Sequence, residues 1–537
     1  MKNTFLKPFL VAAFMAGAWV SCTKKLDLIP TNGITAANVY STTAGYKQAF
    51  AKLYGSFALT GNQGPAGNGD IQGIDEGTSD FFRLYWKAQE LSTDEAVVAW
   101  GDPGIQDFHR MNWTSDNPML KGLYYRSFYQ ITLCNDFVNQ ASDATLAARG
   151  ITGTEADNIR AYKAEARFLR AYQYWVLMDL FGNPPFATET DAIGTFLPKQ
   201  ISRADLFTYI ESELKAIEPL LPAAKANEYG RADKAAAWAL LARMYLNAQV
   251  YTGTAKYTEA ITYAQKVIGA GYTLVADYRW LMRADNQQNT NEFIFTINYD
   301  GQKTQGYGGT TFLAHASLGG SMNAGDYGLD YAWAGIRATK NLTNLFPDLT
   351  GAQDNRAEFY TNGQNKEIND LTVFTDGYGV NKYVNKTRPT TANMLTSGSA
   401  GSNQTFADID FPVFRLAEMY LIYAEAVVRG GAGGDLVTAL GYINKLRQRA
   451  YGNTSGNIIP TQLTADFILD ERARELYWEG ARRTDLIRYG KFVEGTYLWP
   501  WKGGVKDGAS VGDFRKLYPI PSSDVSSNVN LKQNPGY

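Results

Sequence analysis

From residue 157 to 183 the chain reads DNIRAYKAEARFLRAYQYWVLMDLFGN, with Ile159, Tyr162, Ala166, Leu169, Val176 and Leu180 at alternating spacings of three and four. That is the period of one α-helical face, interrupted at Gln173, and Gly182 with Pro184-Pro185 predicts its end. Ser202 is the predicted N-cap of a second helix that closes at Pro222. Residues 231–251 and 257–271 form an Ala-rich helical pair with a Gly stop, and residues 415–435 and 436–450 form another. Pairs of roughly 34 residues, with small Ala at contacts and bulky Tyr or Leu between, resemble tetratricopeptide repeats. The match is degenerate and the pairs are not contiguous, which predicts a helical scaffold and not a regular solenoid.

The helical period lapses over residues 59–86 and 271–411, where Gly, Asn, Thr and Tyr dominate and EFIFTIN is the one β-like run. Structureless stretches of that length inside a compact protein usually carry function. The expected class is therefore mainly α, a helical frame bearing elaborate loops. Residues 1–21 read as a leader, 22–41 as a tether and 42–537 as one domain. Within it the scaffold covers about 115–270 and 412–490, the loops about 60–113 and 271–411, and a tail 491–537.

The leader, MKNTFLKPFLVAAFMAGAWVSC, has Lys2 and Lys7 ahead of an apolar run at 9–20 that is too short for a permanent membrane span. It ends in Val20-Ser21-Cys22, like a bacterial lipobox, although Trp19 replaces the usual aliphatic residue. Cleavage there makes Cys22 a lipidated N-terminus whose acyl chains anchor the protein to a membrane.

Composition removes several functions. A net charge of −2 without basic runs offers nothing to nucleic acid. Two cysteines (Cys22, Cys134) and two histidines (His109, His315) supply neither a disulfide framework nor a Cys- or His-rich metal centre, and supply a Ser-His-Asp triad poorly. Asp94 and Glu95, close to Trp100, are adjacent in sequence and diverge on either a helix or a strand. Glycosidases instead need two carboxyls facing each other about 5 to 9.5 Å apart. The pair is expected to be solvated, capping or hydrogen-bonding to a ligand, with Asp75 or Glu76 left as a distant partner for either acid.

Aromatics reach 13%, and Trp86, Trp100, Trp113, Tyr307, Tyr327, Tyr331 and Trp333 are expected in loops, with Trp86 and Trp113 turned to the core. A pyranose needs flat aromatics under its CH face and polar groups at its rim, which Asp75 and Arg83 are placed to supply. Oxygen side chains at Asp285, Asn286, Asn289 and Glu292 suggest a Ca²⁺ site, without EF-hand spacing; no other cofactor is expected. The glycine-rich run at 430–435 is a helix-linking turn, and Glu471–Arg474 and Glu479–Arg483 read as a salt-bridged helix face.

AEARFLRAYQYWVLMDLFGNPPF, FRLAEMYLIYAEA, ILDERARELYWEGARRTDLIRYG and the closing LYPIPSSDVSSNVNLKQNPGY resemble the signature segments of the SusD/RagB family. The resemblance implies a SusD-like fold and a non-enzymatic, lipid-anchored protein of the outer-membrane surface that hands oligosaccharide to a SusC-like TonB-dependent transporter. Likeness to a starch-binding member, through ELSTDEAVVAW, GYGGTTFL and YLWPWKGG, implies an α-glucan ligand. It carries Asp75 and Arg83 over as rim residues and Trp100 and Tyr307 as two aromatics of a binding arc. Tyr331, or Trp333 two residues on, takes the third place. The starch binder has Trp where Val98 stands and Asn where residues 101–104 read GDPG, so the lining differs. A different glycan, or a repeat scaffold binding protein partners, are the alternative readings.

Overall fold

The computed structural model describes residues 36–75, 79–191, 196–389 and 397–537; the leader, Cys22 and Glu76 lie outside the described residues. The chain divides after Ala49. The N-terminal unit carries the short helix Ala36–Val39, and Tyr40 packs on Tyr46 at 5.0 Å.

In the unit Phe50–Tyr537 the elements run α1 (Phe81–Glu90), β1 (Ala96–Val98), α2 (Pro118–Gln140), α3 (Gly153–Phe181), α4 (Arg203–Ile217), α5 (Lys234–Leu246) and α6 (Tyr257–Ile268). There follow β2 (Phe293–Ile297), α7 (Gly309–Ala316), β3 (Ile336–Ala338), β4 (Phe411–Arg415), α8 (Leu416–Val428), α9 (Leu436–Tyr451), α10 (Ala465–Leu476) and α11 (Arg482–Arg488). Side-chain caps start them where the sequence signals a start. Ser202 accepts from the Asp205 N–H, Asp233 from Ala235 and Ala236, Asp435 from Thr438 and Thr464 from Phe467. Gly182, at φ 76°, ends α3 as expected. The helices pack as neighbours, α2 on α3, α3 on α4, α5 on α6 and α8 on α9, with α6 against α8 joining the two pairs. Ile159, Leu169, Val176 and Leu180 are buried, each contributing about 1.5–3 kcal/mol. Gln173, which breaks the apolar row, is buried with them.

The strands are short antiparallel couples, β1 with β3 and β2 with β4. EFIFTIN is β2.

Three expectations change. Residues 60–113 are not all loop: all ten residues of α1 are buried, Trp86 among them. Its polar residues do recur on one face (Arg83, Lys87, Glu90), but that face is buried as well, and ten residues at the end of a Gly-rich stretch leave the period short. α7, eight residues long, has no charged face, and all of it is buried. The 471–483 charges are not one helix face. Glu471 meets Arg474 at 2.8 Å, but α10 stops at Leu476 and Trp478 takes φ 62°. Glu479 therefore turns inward to Arg415 (2.7 Å) and Lys382 (2.6 Å), while Arg483 donates to the Lys516 carbonyl at 2.7 Å. This is a buried ionic core. Burial alone would raise Glu475, yet Arg449, Arg415 and Arg356 hold it down to about 2.

Candidate functional site

Two distant segments are welded to make the site. β1 and β3 pair Ala96 with Ala338 and Val98 with Ile336, and the Ala99 N–H extends the ribbon to the Gly335 carbonyl at 2.8 Å. Trp100 follows directly. Gly335 lies flat against it, since a Cβ there would stand 2.6 Å from Cε2 and 3.0 Å from Cη2 of the indole. Trp333 is fixed from the other side by the end of α7: its N–H donates to the His315 carbonyl (3.0 Å) and the Gly335 N–H to that of Ala316 (2.9 Å). Asp80 ties the loop before α7 to α1. One carboxylate oxygen caps α1 at the Arg83 N–H (2.9 Å) and the other accepts from the Gly309 N–H (3.0 Å). Gly309, at φ 56°, and Gly308, where any Cβ would collide with Asp80, permit this approach.

Trp333 is the hub. Its ring centroid lies 6.3 Å from Trp100, 6.3 Å from Tyr307 and 6.3 Å from Tyr331, at interplanar angles of 46°, 56° and 39°. The Trp100 Nε1–H donates to the Trp333 carbonyl at 3.0 Å. Tyr331 is 48% exposed, and Trp100, Tyr307 and Trp333 are half-buried. Tyr331 and Trp333, posed as alternatives, thus both belong to the cluster. Trp86 and Trp113 are core, as expected, and Tyr327 joins them.

Arg83 lies beneath the cluster and not on an open rim. Only 5% of it is exposed. Its guanidinium carbon is 4.6 Å from the Phe312 ring, 5.5 Å from Trp100 and 5.8 Å from Trp333, and Nη1 donates to the Tyr307 carbonyl at 2.6 Å. Burial pushes its pKa down to about 10, against the pull of Asp80, Asp102 and Asp75. Asp75 and Asp102 are exposed, so the polar edge of the cluster is acidic. One turn along α1, buried Lys87 donates to Met119 Sδ at 3.5 Å, and burial takes its pKa well below the usual lysine range.

Phe312, His315, Phe406 and Asp102 also belong here, and sequence reading missed them. Phe406 meets Tyr307 at 5.7 Å, and His315 stacks on Trp333 at 4.7 Å and 19°. The GYGG signal before α7 was visible; the helix it opens was not.

Asp94 and Glu95 are neither solvated nor part of the aromatic cluster. Asp94 is buried in a two-pronged pair with Arg482 (both 2.7 Å), and Glu95 accepts from the Trp478 N–H at 3.1 Å. Both acids grip the 478–482 segment, because the buried side of the ribbon faces it. The oxygens near Asp285 each have a protein partner. Asp285 accepts from the Arg388 N–H (3.0 Å), Asn286 from the Asp410 N–H (2.9 Å), Asn289 from the Arg388 side chain (2.6 Å), and Glu292 pairs with Arg415 and Arg449. Among the described residues no cluster of three or more His, Cys, Asp or Glu is arranged to hold a metal, and no helix is long and apolar enough to cross a membrane.

The aromatic cluster is a shallow platform. Half-open pockets of 240 and 180 Å³ lie elsewhere, around residues 229–231. With its outer faces apolar and its edge acidic, the platform can stack a flat polyhydroxylated ring and accept hydrogen bonds from its hydroxyls.

A family model described as "SusD family" matches residues 352–537, and one described as "Starch-binding associating with outer membrane" matches residues 88–246. The "Starch-binding protein SusD" of Bacteroides thetaiotaomicron is 35% identical over 587 aligned positions spanning 100% of both chains. The "SusD-like protein P2" of Formosa agariphila is 26% identical over 81% of this chain and 85% of its own. Among solved structures, a SusD homolog from B. thetaiotaomicron superposes with a TM-score of 0.71 at 19% identity, covering 94% of this chain and 99% of that one. Surface glycan-binding protein A from the same species, in complex with laminarihexaose, superposes at 0.66 and 21% identity, covering 91% and 99%. These structural likenesses establish the shared, mainly helical fold.

Proposed function

The chain belongs to the SusD family, and we propose that it is a non-catalytic glycan-binding protein of the outer-membrane surface whose ligand is a curved α-glucan, starch or a maltooligosaccharide. The observation that carries this reading is the set of three aromatic rings around Trp333, each tilted from it by 39–56°. A tilted set selects for a chain with curvature of its own, because a straight one touches only one ring at a time. Covering one indole face removes roughly 100 Å² of apolar area, worth about 2.5 kcal/mol. Two such contacts, about 5 kcal/mol before the cost of association, leave binding no tighter than roughly 0.2 mM. Weak, releasable capture suits delivery to a transporter.

Asp75 and Asp102 accept sugar hydroxyls at the edge, while Arg83 holds the Tyr307 loop from below. Lipidation at Cys22 anchors the protein, and a SusC-like TonB-dependent transporter receives the ligand. Support comes from the starch-binding relative at 35% identity and the outer-membrane description of the matching family model. The laminarihexaose bound by surface glycan-binding protein A favours a β-glucan as the second reading.

Affinity electrophoresis through amylopectin, dextran, laminarin and xylan tests the choice. Retardation by amylopectin, lost in Trp333→Ala, is expected; retardation by laminarin alone supports the second reading. Sustained release of reducing ends from starch, abolished by a carboxylate substitution, would overturn the non-catalytic assignment.

A further inference from the structure

His315 is one of two histidines in the chain, and its setting is unusual. It is fully enclosed and its ring lies nearly parallel to Trp333 at 4.7 Å. Nδ1 is 2.7 Å from the Tyr331 carbonyl oxygen and Nε2 is 3.0 Å from the Thr405 carbonyl oxygen. A carbonyl only accepts, and a neutral imidazole has one N–H to give; only the imidazolium satisfies both. The two carbonyls belong to different loops, one bearing Tyr331 and Trp333, the other leading to Phe406 under Tyr307.

We propose that protonated His315 is a positioning residue that clamps the two loops of the platform together, so that glycan and proton bind cooperatively. The inference rests on reading the cluster as a glycan platform. The acid nearest the ring is Asp330, whose Oδ1 lies 4.0 Å from Nδ1 and whose Oδ2 accepts from Thr405 Oγ1 at 2.5 Å, on the same clamp. The Tyr331 phenol ring is 5.3 Å from the imidazole, and Arg83 reaches the same Trp333 indole at 5.8 Å. α7 itself contributes no other charged side chain. Burial depresses His315, with the Tyr331 carbonyl, Asp330 and the Thr405 carbonyl opposing it. The clamp therefore closes as pH falls below the ordinary histidine value of about 6.5.

The sign follows from linkage. If glycan prefers the clamped platform, bound glycan raises the His315 midpoint and affinity rises as pH falls through it. Titration of the full chain by NMR, with and without maltoheptaose, measures this directly: burial pushes His109 down to about 3, and the His315 resonance is identified as the one missing from His315→Phe. Calorimetry with maltoheptaose between pH 7.5 and 5.0 is the companion. The expected result is an upward midpoint shift and a roughly three- to tenfold gain in affinity toward pH 5. His315→Phe, which keeps a ring against Trp333 but donates nothing, is expected to bind more weakly with no pH dependence. His315→Gln, whose single amide nitrogen reaches one of the two carbonyls, is expected to lie between them. A midpoint unmoved by saturating glycan, or a His315→Phe profile that keeps the wild-type slope, overturns the clamp. If no glycan binds at any pH, the platform reading fails by itself. The clamp then stands only if the Trp333 indole resonance follows the His315 titration, and falls if it does not.

Discussion

Gly335→Ala is expected to disable the platform without touching any ligand-facing atom. The added methyl would stand 2.6 Å from Cε2 and 3.0 Å from Cη2 of Trp100, where ordinary carbon contacts need roughly 3.5 Å, so the indole must retreat by up to about 1 Å. It cannot swing freely, because its Nε1–H is tied to the Trp333 carbonyl at 3.0 Å and its own carbonyl accepts from Gln106 at 2.6 Å. Losing the Nε1 bond costs about 1 kcal/mol. Losing the stacking face as well costs up to about 2.5 kcal/mol. The stacking loss alone lowers glycan affinity by up to roughly 70-fold, the lost hydrogen bond being a cost to the fold. Gly335 is not at a positive φ, so its backbone accepts alanine, and global stability should drop by no more than about 1–3 kcal/mol of overpacking. Calorimetry with maltoheptaose, beside a thermal melt to show that the variant is folded, reads both quantities. Wild-type affinity in folded Gly335→Ala would refute the claim that this contact sets Trp100.

Glu90 is buried with its pKa pushed up to about 7, while Oε1 accepts from the Gly480 and Ala481 N–H groups and the carboxyl lies in hydrogen-bond reach of buried Glu95. A carboxyl raised on folding contributes stability that is full below about 4.5 and lost as pH rises through about 7. Glu90→Gln should accordingly flatten the decline in melting temperature between about pH 4.5 and 7 and gain about 1–3 kcal/mol at pH 8; an unchanged slope would count against it. With the oxygens of Asp285 and Asn286 engaged by Arg388 and Asp410, EDTA or added Ca²⁺ should leave the melting temperature unmoved. A Ca²⁺-dependent rise that disappears in Asp285→Asn would restore the cation site.

The scaffold was legible because its helices are amphipathic and announce their ends, as at Ser202, Gly182 and Asp435. α1 and α7 were not, since both are short and adjoin Gly-rich sequence, and these two helices position Arg83, Phe312 and His315. Aromatics in Gly-rich sequence pointed to Trp100, Tyr307, Tyr331 and Trp333, which do converge. The roles of neighbouring charges depended on long-range packing. Asp94 and Glu95 look exposed beside a Pro-Gly turn, yet both close on the 478–482 segment. Glu479 has the spacing of a helix pair with Arg483, and the break at Trp478 sends it elsewhere.

The β1–β3 weld has a consequence for the life of the protein. The Trp100–Trp333 hydrogen bond spans 233 residues and the Arg83–Tyr307 bond spans 224. Neither half of the platform is a surface by itself, and closing loops of that length comes late in folding. Capture of ligand is therefore a certificate of complete folding. A chain with its central region misassembled presents no half-built platform to occupy ligand unproductively.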